Sequence, residues 1–265
     1  MSLNVSGEEA SNERRAPAAN PSLLEAAIER GGLHPFFHAK VSMTTRHIVG
    51  AEALARIANA QTFAAPGPYV ELAERNNRID ALTLAMARVV VKAVAGFGEA
   101  LPCAINISPV SLNKPEFPGE IAKVITDGGL KCSQFTLVLT EARPADYGPR
   151  AKETMVALRD LGFGLAVDDF GAGTSNIDRL RSFPFTEVKI DPSFTRLAMD
   201  EAFAKAAMVS CVKLAKDLGL KVTAEGVETQ EMWDFMAWLG VDEAQGFLLS
   251  KPLPAADFCE FLKRG

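Results

Sequence analysis

The sequence is poor in the features that mark several common protein classes. It has only four cysteines in 265 residues, and none of them form a CxxC pair. We therefore expect reduced thiols rather than a disulfide framework or a zinc site. No secretory apolar segment is evident at the N-terminus, which favours a cytoplasmic location. No apolar run approaches the roughly 18 residues of a membrane span, so we predict no transmembrane segment in this chain.

Positive charge and histidine are also scarce. Lysine and arginine number 28 against 33 acidic residues, for a net charge of −5, which argues against binding duplex nucleic acid through a broad basic face. The three histidines, His34, His38 and His47, lack HxxxH or HExxH spacing. We interpret them as loop or rim residues and not as metal ligands. No GxSxG, P-loop or dinucleotide-binding glycine motif is present.

The composition nevertheless supports a substantial folded core, because 48% of the residues are hydrophobic. Residues 1–20 are polar and charged without an apolar period, which predicts a disordered tail or linker. Such a linker would suit a fused sensor domain in a longer protein. We expect one ordered domain over residues 21–265, beginning with a short helix at "PSLLEAAIER".

Short apolar runs alternate with longer amphipathic segments along this domain. Amphipathic segments, such as the long stretch over residues 68–97, lie between most of the runs, and Gly162, Gly219 and Gly240 follow three of them where a helix C-cap belongs. The eight strand-like runs are "FFHAKVSM", "IVGAEALA", "CAINIS", "FTLVLT", "LAVDDF", "EVKI", "KVTAEG" and "AQGFLL". This order predicts an α/β fold, either a (β/α)8 barrel or a doubly wound open sheet.

Polar side chains recur at or near the C-terminal ends of these runs. They are Glu52, Asn106, Glu141, Asp168, Asp169, Lys189, Glu225, Glu228 and Gln245. A barrel brings all its strand ends to one mouth, whereas an open sheet collects ligands mainly at one switch point. The distribution therefore favours the barrel.

The segment "LAVDDFGAG" ends an apolar strand with two adjacent carboxylates. On its own, this pair is equally well explained if Asp169 caps the next helix and Asp168 binds backbone amides. Glu52, Asn106 and Glu225 lie at other predicted strand ends, and together with the aspartates they favour a functional site over this structural explanation. Oxygen ligands gathered at one mouth suit Mg²⁺ or Mn²⁺, and a bridging aspartate suits a two-metal centre.

Four further residues are candidates for roles at the mouth, and two of them, Lys189 and Arg56, also have a structural interpretation. Lys189 either neutralises the acids or positions an attacking water and stabilises charge on a phosphate. Glu228 would support Lys189 or a ligand, and Gln245 would orient a water molecule. Arg56, about one helical turn beyond Glu52, either reaches a substrate phosphate or forms a surface salt bridge.

Six segments, in order, resemble the EAL domain: "GAEALAR", "INIS", "DDFGAG", "VKIDPSF", "AEGVET" and "QGFLLSKPLP". That family comprises bacterial cyclic-di-GMP phosphodiesterases and their inactive relatives, and the resemblance runs from about Pro35 to Leu262. It implies a modified (β/α)8 TIM barrel whose first strand is antiparallel. It also implies Mg²⁺- or Mn²⁺-dependent hydrolysis of cyclic-di-GMP to pGpG, and allows a homodimer.

The resemblance assigns roles to the mouth residues. It implies one metal bound by Glu52, Asn106 and Asp168, and another bound by Asp168, Asp169 and Glu225. The catalytic residues would be Lys189, Gln245, Glu225 and Glu228. Substrate contacts would come from Leu54, Arg56, His38, Asn106, Asp168 and Glu225. Glu141 would support the loop that follows Asp169.

The sequence departs from the family pattern at the fourth strand. Val138 stands where active members carry the first glutamate of "LEITES", a metal ligand, and valine cannot coordinate. Thr174 replaces a usual aromatic residue, Ile57 a common tryptophan, and His38 a frequent glutamine. We therefore favour a cyclic-di-GMP receptor with weak or absent hydrolysis, which would signal to a fused domain or an effector protein. The alternatives are a metal-dependent phosphodiesterase with an impaired site and a protein-interaction scaffold.

Overall fold

The computed structural model describes residues 19–59, 62–97, 101–139, 147–171 and 177–264. The strands in these residues are β1 Leu33–Ser42, β2 Ile48–Asn59, β3 Thr62–Ala64, β4 Cys103–Ile107, β5 Phe135–Leu139, β6 Gly164–Phe170, β7 Glu187–Ile190, β8 Lys221–Ala224, β9 Glu243–Ala244 and β10 Leu253–Pro254. The helices are α1 Pro21–Glu29, α2 Gly67–Arg75, α3 Ile79–Val94, α4 Phe117–Asp127, α5 Ala151–Asp160, α6 Ile177–Ser182, α7 Pro192–Asp200, α8 Ala202–Asp217, α9 Gln230–Trp238 and α10 Ala255–Leu262.

Eight of the strands close into a barrel. Their order around the ring is β1-β9-β8-β7-β6-β5-β4-β2, and β2 pairs back onto β1. The strands from β2 to β9 that form the ring run parallel to one another, whereas β1 is antiparallel to both of its neighbours. The predicted modified (β/α)8 barrel with a reversed first strand is confirmed.

The helices follow the amphipathic segments, with one difference. The continuous segment over residues 68–97 divides into α2 and α3, because the backbone turns at Asn77, whose φ is +53°. Asparagine enters this left-handed region more readily than most residues, so it can end a helix. The three predicted glycine C-caps are confirmed, since Gly162, Gly219 and Gly240 all have positive φ (+99°, +73° and +76°).

The last predicted strand is much shorter than "AQGFLL". After β9 ends at Ala244, the chain turns back against the loop that follows β8: Val227 N–H donates to Gln245 O (3.2 Å) and Leu248 N–H to Val227 O (3.1 Å). A Cβ on Gly246 would lie 2.2 Å from Val227 O. The close approach of two backbones therefore replaces further strand pairing, and only glycine permits that approach here.

Apolar packing lies in two places. The main core lies between the barrel and its helices, and a separate buried cluster of Ala104, Val138 and Ala166 comes from β4, β5 and β6. On β4 and β6, the residues two positions later are Asn106 and Asp168, which share the face of Ala104 and Ala166 because strand side chains alternate. The apolar cluster thus adjoins the polar mouth on the side of β4, β5 and β6.

The opposite end of the barrel contains a buried ion network, here named the floor network: Lys40, Glu187, Lys221 and Glu243. Lys40 Nζ lies 2.5 Å from Glu187 Oε1, and Lys221 Nζ lies 2.8 Å from Glu187 Oε2 and 3.1 Å from Glu243 Oε1. Lys40 and Glu187 are only 4% and 1% exposed. Charges at this depth are tolerated because they are paired.

Within the described part of the chain, no helix is both long and apolar enough to cross a bilayer. Several predictions concern residues that lie outside the described ranges: the tail over residues 1–18, Glu141 and Thr174.

Candidate functional site

Lys189 is the centre of the barrel mouth. It lies on β7 and is 1% exposed. Its Nζ lies 3.0 Å from Glu52 Oε2, 3.1 Å from Asp168 Oδ1 and 2.7 Å from Glu225 Oε1. Glu52 and Asp168 come from β2 and β6, and Glu225 immediately follows β8, so four ring strands supply this one cluster.

Glu52 is held by two amides in addition to Lys189. Asn106 Nδ2 donates to its Oε1 (2.8 Å) and Gln245 Nε2 donates to its Oε2 (2.9 Å). Burial favours the neutral acid, but the charge of Lys189 and the hydrogen bonds from Asn106 and Gln245 outweigh it and lower the pKa of Glu52 to about 2. Glu52 is therefore ionised at neutral pH.

The other two acids are less well compensated. Burial raises the pKa of Glu225 to about 8 against the opposing attraction of Lys189, with further increases from Asp168 and Glu52. Burial likewise raises the pKa of Asp168. Lys189 itself, although burial disfavours its charge, has a pKa well above the usual value because three acids surround it. One ammonium does not balance three carboxylates, so the mouth favours additional protons or cations.

The two adjacent aspartates lie at a backbone irregularity. The register between β6 and β7 shifts between Val167 and Phe170, and Asp169 has φ +56°. A bulge re-aims side chains that would otherwise alternate between faces, and positive φ at a residue other than glycine is a strained conformation common at functional sites.

A cavity of about 610 Å³ opens beside the mouth. Leu54, Arg56 and Asn106 line it, together with residues of α2, α3 and the turn after β4. Because β2 continues to Asn59, Arg56 lies on the strand and not on the helical turn that the sequence suggested. Its Nη1 donates to Ala55 O (2.8 Å), and among the described residues no carboxylate lies within ion-pair distance of the guanidinium. The surface salt bridge considered for Arg56 is therefore not formed there.

Glu228 and His38 lie differently from the sequence-based expectation. The exposed carboxylate of Glu228 lies 3.9 Å from Arg196 Nη1, outside the Lys189 cluster. His38 is 8% exposed within β1, so its interpretation as a loop or rim residue is wrong. His38 lies within the apolar run that forms β1, and it is paired there with Glu52 of β2.

One contact at the mouth could not be found from sequence patterns. Gln245 Nε2 lies 2.9 Å from His38 Nδ1, while His38 Nε2 lies 3.0 Å from Ser250 O. His38 and Gln245 are 207 positions apart, and neither belongs to a motif that pairs them. Only the closure of β1 against β9 brings them together.

Val138 is fully buried on β5, opposite Asn106 on β4 and Ala166 on β6. It therefore places a hydrocarbon side chain level with Asn106 and two residues below the level of Asp168. This position lies within the arc of oxygen donors, and it supplies neither charge nor a lone pair.

The donor set at the mouth is chemically suited to a hard divalent cation, since it consists of carboxylate and amide oxygens. Asp168 Oδ1 is buried and has no hydrogen-bond partner among the described residues, with only the ion pair to Lys189. Over the same residues, no three acid, histidine or cysteine side chains converge closely enough to form a ready metal site. The Lys189 ammonium instead lies at the point where the carboxylates of Glu52, Asp168 and Glu225 would converge on a metal ion.

The family follows from comparison with known proteins. The family model described as the EAL domain matches residues 22–252. The chain belongs to the EAL domain family. The cyclic di-GMP phosphodiesterase RocR of Pseudomonas aeruginosa is 30% identical over 247 residues, which cover 91% of this chain and 63% of RocR. This EAL chain therefore spans less than two thirds of that relative.

Solved EAL structures have the same fold. The PaMucR phosphodiesterase in complex with c-di-GMP is 29% identical, with a TM-score of 0.79 over 89% of this chain and 97% of that one. The EAL enzyme Bd1971, in its cAMP- and cyclic-di-GMP-bound form, matches with a TM-score of 0.84 over 91% of this chain and 67% of that one. At 24% identity, the second comparison supports the fold alone. Phosphodiesterases of the EAL family are metal-dependent in general.

Proposed function

We propose that this EAL domain, taken as residues 21–265, binds cyclic-di-GMP as a signalling receptor with weak or absent hydrolysis. The observation that carries the proposal is Val138, a fully buried hydrocarbon at the level of the mouth's oxygen donors. It removes one negative charge from any metal site. Lys189, by contrast, neutralises part of the remaining acid cluster without a metal. A dinucleotide site that does not depend on a metal is the consequence.

The binding surface would combine Arg56 and the cavity. Arg56 has guanidinium donors that are not engaged by a carboxylate among the described residues, and it lines the cavity together with Leu54 and Asn106. A guanidinium is well suited to a phosphodiester, and the apolar part of the cavity suits a purine base. His38, Asp168 and Glu225 would complete the contacts, and a fused domain, an effector protein or a second copy would receive the signal.

The alternative is a metal-dependent phosphodiesterase, which the convergence of Glu52, Asp168 and Glu225 favours. Glu52, Asn106, Asp168, Asp169 and Glu225 would hold Mg²⁺ or Mn²⁺, which would supply Lewis-acid polarisation of the scissile phosphate. In that case Lys189 would have to release at least one carboxylate, and Gln245 and Lys189 would orient the water, with Glu228 at the rim.

Calorimetry with cyclic-di-GMP distinguishes these functions. We expect binding in EDTA, with an affinity that Mg²⁺ or Mn²⁺ changes by only a few-fold, and little pGpG at high protein concentration. Arg56→Ala should weaken binding by about tenfold or more, since a charge-assisted hydrogen bond is lost. Arg88→Ala, which removes the same charge from the exposed face of α3, is the matched control and should bind like the wild type.

The other outcomes identify the alternatives. Clear turnover that Glu52→Ala or Asp168→Ala abolishes would establish the phosphodiesterase and reject the receptor. The absence of cyclic-di-GMP binding, with or without metal, would leave a protein-interaction scaffold.

A further inference from the structure

His38 has a defined protonation pattern within the mouth. Its Nε2 lies 3.0 Å from the carbonyl oxygen of Ser250, which can only accept a hydrogen bond. Nε2 must therefore carry the proton, and in the neutral ring Nδ1 is left as an acceptor. The ring is held in a buried strand opposite Glu52, where it cannot rotate freely.

The amide of Gln245 lies between two acceptors. Its Nε2 is 2.9 Å from His38 Nδ1 and 2.9 Å from Glu52 Oε2. Both amide hydrogens are therefore engaged, one by the ring and one by the carboxylate. Rotating the amide by 180° would place Oε1 against two acceptors at once, so His38 and Glu52 together fix a single orientation.

The fixed orientation leaves one group without a partner. Gln245 Oε1 is buried and accepts no hydrogen bond from any described residue, and the side chain is only 4% exposed overall. A buried acceptor that is left unpaired destabilises the protein. An O–H or N–H donor that reaches Oε1 would remove that destabilisation.

We infer that His38 is a positioning residue, which fixes the Gln245 amide so that Oε1 accepts a hydrogen bond from an O–H donor at the mouth. The donor is either a bound water or a ribose hydroxyl of the nucleotide. The inference rests on the proposed function for the identity of the ligand, but the orientation of the amide is a property of the free protein. His38 acts through Gln245 and not by contact with the reacting atoms.

Two substitutions separate the two nitrogens of the ring. In His38→Asn, the side-chain oxygen can take the place of Nδ1 and still accept from Gln245. In His38→Gln, the longer amide can take the place of Nε2 and keep the contact with Ser250 O, but the acceptor for Gln245 is lost. If the role of His38 were purely structural, the effects of the two substitutions on the amide and on binding would follow their losses of stability. Thermal unfolding measures those losses.

The first measurement uses the protein without ligand. The Gln245 side-chain NH₂ signals, assigned by their loss in Gln245→Met, should be slow to rotate in the wild type and in His38→Asn. In His38→Gln we expect rotation of the amide at least about tenfold faster, because one of its two acceptors is gone. Equal rotation in His38→Gln and the wild type would overturn the inference, whatever the protein binds.

The second measurement is cyclic-di-GMP affinity. His38→Gln and Gln245→Met should each weaken binding about tenfold, the double variant should be no weaker than either, and His38→Asn should regain most of the affinity that His38→Gln loses. Multiplicative effects in the double variant would overturn the inference.

A 2′-deoxy analogue identifies the donor: it binds the wild type more weakly than cyclic-di-GMP if a ribose hydroxyl donates, and equally if water donates. If the wild type binds no nucleotide, the proposed function fails, while the NMR result still decides the role of His38.

Discussion

Lys189 illustrates how one side chain can determine the state of a whole site. Its ammonium lies within 3.1 Å of carboxylate oxygens from three acids, in a position almost closed to water. In such surroundings, a charge is tolerated only while its partners are present. Lys189 is therefore both the internal counter-ion of Glu52, Asp168 and Glu225 and the competitor of any cation that approaches them.

Replacing Lys189 tests this dual role. Lys189→Met should lower the free energy of unfolding by about 3–5 kcal/mol, because three buried carboxylates lose their cation. Urea denaturation in EDTA measures the change. Lys213→Met removes an exposed ammonium that pairs with Asp217 along α8, and it should have little effect. Equal losses in the two variants would contradict a buried ion cluster.

Val138 permits the reverse experiment, in which a charge is added. Val138→Glu should raise pGpG release at least about tenfold in Mg²⁺, since it adds an anionic oxygen donor level with Asn106. It should also reduce stability, because the side chain enters the cluster of Ala104 and Ala166. Val138→Gln controls for size and should leave turnover low. Unchanged turnover in Val138→Glu would show that Val138 is not the only residue that limits hydrolysis.

At the scale of elements, the loops after β8 and β9 form one unit. Two backbone hydrogen bonds join Val227 to Gln245 and to Leu248, and Gly246 lies against the same peptide. Glu225 and Gln245 flank this junction. A displacement of either loop should therefore move the side chains of Glu225 and Gln245 together.

Gly246→Ala tests the junction. The added Cβ would lie 2.2 Å from Val227 O, a distance that requires the backbone to shift. We expect a loss of stability of roughly 1–3 kcal/mol, as in overpacked cores, and weaker cyclic-di-GMP binding. Gly119→Ala is the control, since a Cβ in this part of α4 meets nothing within 4 Å and should slightly stabilise the helix. A Gly246→Ala protein with normal melting and binding would refute the coupling of the loops.

The sequence predicts helices well where an apolar period extends over many residues. It fails where the conformation or contacts of the backbone set the end of an element. The amphipathic segments identify α5, α8 and α9, and the expected glycine follows each helix two residues after its end. The break between α2 and α3 depends on the φ of Asn77, which no periodicity encodes. Likewise, the early end of β9 depends on a backbone contact across two loops.

At the scale of the molecule, the two ends of the barrel contain different ion clusters. The mouth has an excess of acid, whereas the floor network places two lysines beside two glutamates. The mouth residues were predictable because each ends an apolar run. The floor network was not, because Lys40 and Glu187 are 147 positions apart and carry no motif. The arrangement of Lys189 among three acids also required coordinates, since sequence gives strand ends but no distances.

The floor network predicts a stability change in acid. Burial disfavours the charge of Glu187, but Lys40 and Lys221 outweigh it and lower its pKa to about 2. A carboxyl whose pKa is lowered on folding adds stability above its unfolded value, near 4.5, and that stability is lost as the pH falls towards 2. Wild type should therefore lose about 3 kcal/mol more than Glu187→Gln between pH 5 and pH 2.

Urea denaturation at several pH values measures this difference. Glu120→Gln, at an exposed position on α4, should keep the wild-type dependence on pH. If Glu187→Gln also keeps it, the floor network does not contribute to acid stability.

The reversed first strand has a consequence for local opening. β1 pairs with β2 along most of its length, but its contact with β9 consists of two residue pairs, Val41 with Ala244 and Ser42 with Glu243. The ring is joined most briefly at β9, which also shares only two residue pairs with β8, and His38 and Gln245 lie on either side of the β1–β9 seam. Backbone amides along this seam should exchange their hydrogens with solvent sooner than those between β4 and β5, which share five residue pairs. One of the most easily opened parts of the barrel therefore adjoins the candidate site, where a bound ligand would slow that exchange.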